Sequence, residues 1–318
     1  MLRFVGQRLV RAFVILLVGT FLAYTMLRLI PGDPTLVKLG NTADKVARDA
    51  LKEKWHLNGN VFSGYWSWLR AALRGDLGND FAASIPVRTR IAQTLTVSLQ
   101  LMVYAQILAL VGAFIVGIVQ AYRRNTWFDK LGNGWTSFLI STPVFVLGLV
   151  LQIIFGVQLK WVRATGLTPF GEGVFEHFKS SLLPAITLAA LPFATYVRLL
   201  RTDMIATLQE DYILMARSKG LKPSYILTRH GLKPSLFSLI TSAGLNIGAL
   251  LGGAVAVEST FNINGVGNLV VKSVLAREFL VVQGALVLII VVFVLANLAV
   301  ELLYGVLDPR VRVARALA

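Results

Sequence analysis

RTDMIATLQEDYILMARSKGLKPSYILTRHGLKP, residues 201–234, is a polar island between two long apolar runs. Positions 198–233 hold seven Lys/Arg, more than any other short loop of the chain. Such a segment reads as cytoplasmic. Met204, Ile205, Leu208, Tyr212, Met215 and Ala216 recur at helical spacing, which predicts one amphipathic helix with Asp203, Glu210, Asp211, Arg217 and Lys219 on its other face. Gly220 is placed to close that helix, because the residue just past a helix end commonly turns left-handed, where glycine is strain-free. Pro223 suits the first turn of a second helix, where no N–H is needed. A helix, a glycine corner and another helix, held at a membrane face by flanking spans, make a docking surface for a soluble partner.

The rest of the chain supplies the membrane. Of 318 residues 56% are hydrophobic and 15% charged, too apolar for a water-soluble globular protein. The net charge of +15 does not point to nucleic acid, because the basic residues flank apolar runs and form no basic domain. Cysteine is absent, which excludes disulfides, thiolate metal sites and a thiol nucleophile.

Apolar runs at 9–30, 95–122, 135–159, 182–200, 236–257 and 281–307 predict six membrane spans in an all-α transmembrane chain. The first run follows Arg3, Arg8 and Arg11 and lacks a small-residue cleavage pattern before Pro31-Gly32-Asp33-Pro34, so it reads as a retained span and not as a signal peptide. Residues 31–94 are soluble in character and read as a long extracytoplasmic insertion after the first helix. Tyr65, Trp66, Trp68 and Leu69 within it are expected along the outer headgroup layer. The insertion's nine Lys/Arg do not oppose that side, because long loops translocate largely regardless of charge. Elsewhere the segments on the side of the N-terminus hold 16 Lys/Arg and the two opposite short loops hold 5, which puts both termini in the cytoplasm. No repeat or linker divides the chain, so 1–318 is expected to be a single transmembrane domain, with 198–234 as its cytoplasmic loop.

Gly244, Gly248 and Gly252 stand at four-residue spacing on the fifth span, beside Asn246, and suit close helix packing within this chain or along a seam with a second subunit. Pro143, Pro184 and Pro192 are placed to bend or start helices. No catalytic constellation assembles. There is no G-x-x-x-x-G-K-[ST] phosphate loop, and His56, His177 and His230 lie scattered as expected surface histidines without metal-ligand spacing. Ionisable residues within spans are few: Glu258 at the outer end of the fifth and Glu301 near the inner end of the sixth. Gln106, Gln152, Asn246 and Asn297 suit helix–helix hydrogen bonds. That scarcity favours energy supplied by another chain.

The motif D-Y-x-x-x-A-R-x-K-G-L over 211–221, followed by Arg229-His230-Gly231-Leu232, resembles the cytoplasmic coupling loop of ABC importer permeases. Leu29-Ile30-Pro31-Gly32-Asp33-Pro34, Arg74-Gly75-Asp76-Leu77-Gly78, ESTFNINGVG at 258–267, Val282-Gln283-Gly284 and Asp308-Pro309-Arg310-Val311-Arg312 resemble signatures of the B-type permease subunit of dipeptide, oligopeptide and nickel importers, closest to the dipeptide branch. The resemblance implies a six-helix type I permease fold in a prokaryotic inner membrane. It also implies a C-type permease partner, one or two cytoplasmic ATPase subunits and an extracytoplasmic substrate-binding protein. Catalysis, metal and cofactor are then absent from this chain, with ATP and Mg held by the ATPases. Coupling to them would fall on Asp211, Tyr212, Ala216, Arg217, Lys219, Gly220, Leu221, Arg229 and His230, while Glu258, Phe261, Asn262 and Asn264 would form an outer gate or binding-protein contact, or a plain connecting loop. Two departures stand out: the usual Glu-Ala-Ala is Leu214-Met215-Ala216, and the usual Leu-Pro ending is Leu232-Lys233. Nickel chelates or haem are alternative substrates of the same complex type, and an ion-driven secondary transporter is the alternative of another class.

Overall fold

Proline, glycine and the edges of the apolar runs decide where the helices of this chain begin and end. The computed structural model describes residues 2–29, 35, 39, 44–55, 60–80 and 84–307. The expected turn at 31–34, His56 and the motif at 308–312 lie outside the described residues, as does the side chain of Glu301. Regular structure among the described residues is helical, apart from an isolated β-bridge between Asn79 and Pro86.

The principal helices are α1 (Leu2–Leu29), α2 (Lys45–Lys54), α3 (Val61–Leu73), α4 (Val87–Tyr122), α5 (Trp127–Ser141), α6 (Val144–Leu151), α7 (Val174–Thr207), α8 (Asp211–Ser218), α9 (Leu232–Thr260), α10 (Val266–Leu275) and α11 (Phe279–Leu307). Among the described residues five stretches are long and apolar enough to cross a membrane: Gly6–Met26, Val87–Tyr122, Val174–Thr207, Pro223–Thr260 and Phe279–Val300. The expected span at 135–159 is not one straight helix. It is α5 and α6 with a turn beyond, bent by 107°, so the spans number six only if this pair counts as one. Proline is the cause: Pro143 lacks an N–H and drives Thr142 to an extended ψ of 123°. Beyond α6 the helix widens into a π turn, Gln152–Gln158, where Gly156 lets the 164 backbone approach to within 2.8 Å of the place a Cβ would occupy.

The helices sort into two compact units, residues 1–98 with 264–318, and residues 99–263. In the first, α1 and α11 lie together, with Gly19 facing Ile290. The aromatic cluster of α3 is partly buried within the protein. Tyr65 and Trp68 are buried against Tyr24 of α1, the Tyr65 hydroxyl is 2.9 Å from Thr20 Oγ1, and Trp66 stays exposed. Helical spacing explains the split, since 65 and 68 share a face that 66 does not. A second cluster joins Trp55, Val87, Ile91, Leu280 and Val281. Gly284, from the VQG stretch, is there for contact: a Cβ on it would sit 2.8 Å from Val87 and 3.0 Å from Ile91. Gly284→Leu is therefore expected to destabilise this unit by about 1–3 kcal/mol or more, through overpacking, read as a lowered unfolding temperature of the purified protein.

In the second unit α9 lies along α7, with Gly253 against Leu188. Gln106 of α4 donates to the Ala243 carbonyl at 3.2 Å and accepts from the buried Tyr196 hydroxyl at 3.3 Å. Gln152 donates to the carbonyls of Ala164 (3.0 Å) and Thr260 (3.1 Å). Both amides thus make the tertiary hydrogen bonds their position suggested. His177 is no surface residue: it is 1% exposed, with Nδ1 2.7 Å from the Thr168 carbonyl oxygen, Nε2 3.1 Å from the Tyr104 hydroxyl and its ring stacked on Phe170. The reason is that α7 starts at Val174, so a position expected in a loop lies inside a packed helix.

Candidate functional site

The 201–234 loop is built on two helix ends. α7 runs to Thr207, residues 208–210 turn, and α8 follows; the single amphipathic helix expected from the apolar spacing is therefore two. Breaking at 208–210 re-aims the stripe. Ile213 and Ala216 of α8 are buried with Ile226, and Leu208 packs on them, while Tyr212, Leu214 and Met215 are left exposed at 45%, 64% and 60%. The outward face of α8 is thus largely apolar, bordered by exposed Asp211, Arg217 and Lys219. Asp211 in its first turn and Arg217 in its last complement the helix dipole.

Gly220 closes α8 with φ +75°. Its N–H donates to the Arg217 carbonyl at 2.9 Å and the Leu221 N–H to the Ala216 carbonyl at 3.3 Å, the paired 5→2 and 6→1 bonds of a left-handed helix cap. Pro223 opens a single helical turn, Pro223–Tyr225, which widens into a π turn, Ile226–Gly231, before α9. The Tyr212 hydroxyl donates to the His230 carbonyl at 3.3 Å, and the His230 ring stands edge-on to Tyr225. At the base Thr207 and Ser235 hydroxyls lie 3.2 Å apart, and Gly231 gives room to Leu208. The expected coupling residues therefore divide. Ala216 seats the helix, Gly220 turns it, and Tyr212 and His230 brace it to the next segment. Asp211, Arg217, Lys219, Leu221 and Arg229 face outward.

The other candidates lie elsewhere. Of the glycine ridge, Gly248 is buried, Gly244 partly so, and Gly252 faces open space, with no atom within 4 Å of a would-be Cβ. Asn246 donates to its own helix, at the Ser242 carbonyl 3.0 Å away. Near the end of α9 Glu258 is buried, as is Phe261 just past it; the Phe261 ring touches the Gly148 position of α6, and the Phe261 carbonyl accepts from the Gly166 N–H at 2.7 Å. Asn262, with φ +49°, and Asn264 are exposed.

Residues 113–313 match the family described as the binding-protein-dependent transport system inner membrane component, and residues 1–101 match its N-terminal companion. The chain belongs to this family. It is similar to a glutathione transport system permease protein, GsiC, of Pectobacterium atrosepticum, at 34% identity over 98% of this chain and 99% of the relative. Its likeness to a putative peptide transport system permease of Brucella abortus is 32%, over 96% of this chain and 98% of the relative. GsiC of Escherichia coli O6:H1 is 32% identical over 98% and 99%. This chain is thus a permease subunit, multi-pass in the membrane, of an ABC transport system.

The permease carries one arrangement that its sequence did not single out. Arg198 and Arg201 of α7 reach Thr136, Ser137 and Asp129 of α5. Both arginines had counted only as positive-inside charge. The available signal was Asp129, a lone acid among Arg123, Arg124 and Lys130 at the start of an apolar run.

Proposed function

We propose that this permease forms half of the translocation path of an ATP-driven importer of di- or oligopeptides and that α8 is the element on which a cytoplasmic ATPase subunit docks. The observation that carries the reading is α8 itself. It is a short helix with Leu214 and Met215 turned outward, seated on Ile213, Ala216 and Ile226 and fixed at its end by Gly220. An apolar face on a rigid seat in a basic loop suits a protein partner, not a lipid-facing role.

In this reading Asp211, Arg217, Lys219, Leu221 and Arg229 border the contact, and ATP with Mg is bound by the partner chains. A C-type permease supplies the other half of the path, with the open flank at Gly252 available to it. An extracytoplasmic binding protein delivers substrate near Glu258, Phe261, Asn262 and Asn264. The excess of Lys/Arg in segments sharing a side with 198–234 supports cytoplasmic termini and, one span on, an extracytoplasmic 31–94, and the family's description as an inner membrane component supports a prokaryotic inner membrane location. A small-peptide substrate is supported by the relatives, which are named for glutathione and for peptides.

The test is reconstitution. Liposomes holding this chain alone are expected to pass no labelled dipeptide or glutathione, and liposomes holding it with its C-type partner, ATPases and binding protein to accumulate label only with ATP. Flux through the lone chain would sink the reading.

A further inference from the structure

Two arginines one turn apart near the end of α7 hold α5 along one face. Arg201 donates from Nε to Asp129 Oδ1 at 2.6 Å and from Nη2 to Oδ2 at 2.7 Å, a two-point fork. Asp129 is 2% exposed and accepts two further hydrogen bonds, from the Asn125 N–H at 3.0 Å and from Asn133 Nδ2 at 3.3 Å. Asn125 stands at φ +64°, so the turn between α4 and α5 is shaped to aim its N–H at this carboxylate. One turn back on α7, Arg198 donates to the Thr136 hydroxyl at 3.1 Å and to the Ser137 hydroxyl. Positions 129, 133, 136 and 137 form one face of α5, so the grip runs along that helix and is not a point contact.

Its place in the chain is what matters. From Arg201 α7 continues unbroken to Thr207, and only residues 208–210 separate it from α8. On the other side α5 ends at the bend before Pro143, so α5 and α6 do not form one straight rod. Gly132, whose Cβ would fall on the buried Gln120 amide, keeps the same end of α5 close against α4. A buried ion pair is by itself weak evidence for stability. A planar fork does something more specific: it fixes the rotation of one helix against another, which a single ammonium contact does not.

We propose that the Asp129–Arg201 fork is a positioning strut that carries displacement of α8 through the end of α7 into α5, so that ATP hydrolysis and movement of the path stay in step. The inference rests on α8 being the ATPase contact. The role is one of positioning, exerted through the packing of α7 on α5.

The test measures substrate moved per ATP hydrolysed by the complete complex in proteoliposomes. Asp129→Asn removes the charge and keeps the shape; Arg201→Lys keeps a cation and loses the fork. Both are expected to hydrolyse ATP in the assembled complex while substrate moved per ATP falls about tenfold, within the range of such coupling energies. A ratio unchanged in both, whether or not the yield of complex falls, would show a merely structural pair and overturn the strut. Should Asp129→Asn fail to assemble, Arg201→Lys decides alone. If no ATPase associates with the unaltered chain, the docking reading fails and the strut with it, an outcome distinct from a working complex whose ratio ignores both substitutions.

Discussion

Gly220→Val is expected to abolish peptide uptake while leaving the chain in the membrane at its normal amount. Gly220 sits at φ +75° at the end of α8, with nothing within 4 Å of a would-be Cβ, so the constraint is conformational and not steric crowding. A β-branched residue there stores about 1–3 kcal/mol of strain, comparable to what two capping hydrogen bonds return. The cap therefore opens, the 6→1 bond from Leu221 to Ala216 is lost, and α8 no longer leaves its seat at the same angle. Membrane insertion is spared because the strain lies in a polar loop, outside the apolar spans. Gly220→Asn is the control: asparagine tolerates the left-handed region, so uptake should largely survive. Gly220→Ala should fall between. Uptake assays in membranes with matched protein amounts decide it, and full uptake with valine would show that the corner carries no coupling.

How much of this could be read from residues alone depends on how local the cause was. The glycine cap and Pro223 at the start of a turn were legible, because backbone conformation there is dictated by one residue. The apolar runs were legible as spans for the same reason, apart from the 135–159 run, where Pro143 was noted but its 107° consequence was not. The face of α8 was not legible. Residues 204–216 fit one continuous helical stripe, and only the break at 208–210, where Leu208 packs on the Ile213, Ala216 and Ile226 cluster, turns Met215 outward and Ile213 inward. His177 and the Asp129–Arg201 fork were hidden for a different reason. Each depends on residues far apart in the chain, 73 positions between Tyr104 and His177 and 72 between Asp129 and Arg201, and a single sequence carries no sign of such pairings.

The second large effect follows from that outward face. Leu214→Asp with Met215→Asp is expected to release the ATPase subunits from the membrane complex. Both side chains are more than half exposed, so the substitutions cost the isolated chain little. Docked against a protein partner they would be covered, and a carboxylate covered without a partner costs several kcal/mol. Loss of an anchoring apolar contact alone is worth about 2 kcal/mol or more, which lowers affinity at least about thirtyfold. The paired variant Arg217→Ala, at the border of the same face, should weaken association far less, because rim charges act mainly on encounter rate and salt dependence. Co-purification of ATPase with tagged permease separates these cases. Retention of ATPase at wild-type amounts by the double aspartate variant would mean that α8 is not the docking element, and the coupling path would then have to enter the permease elsewhere.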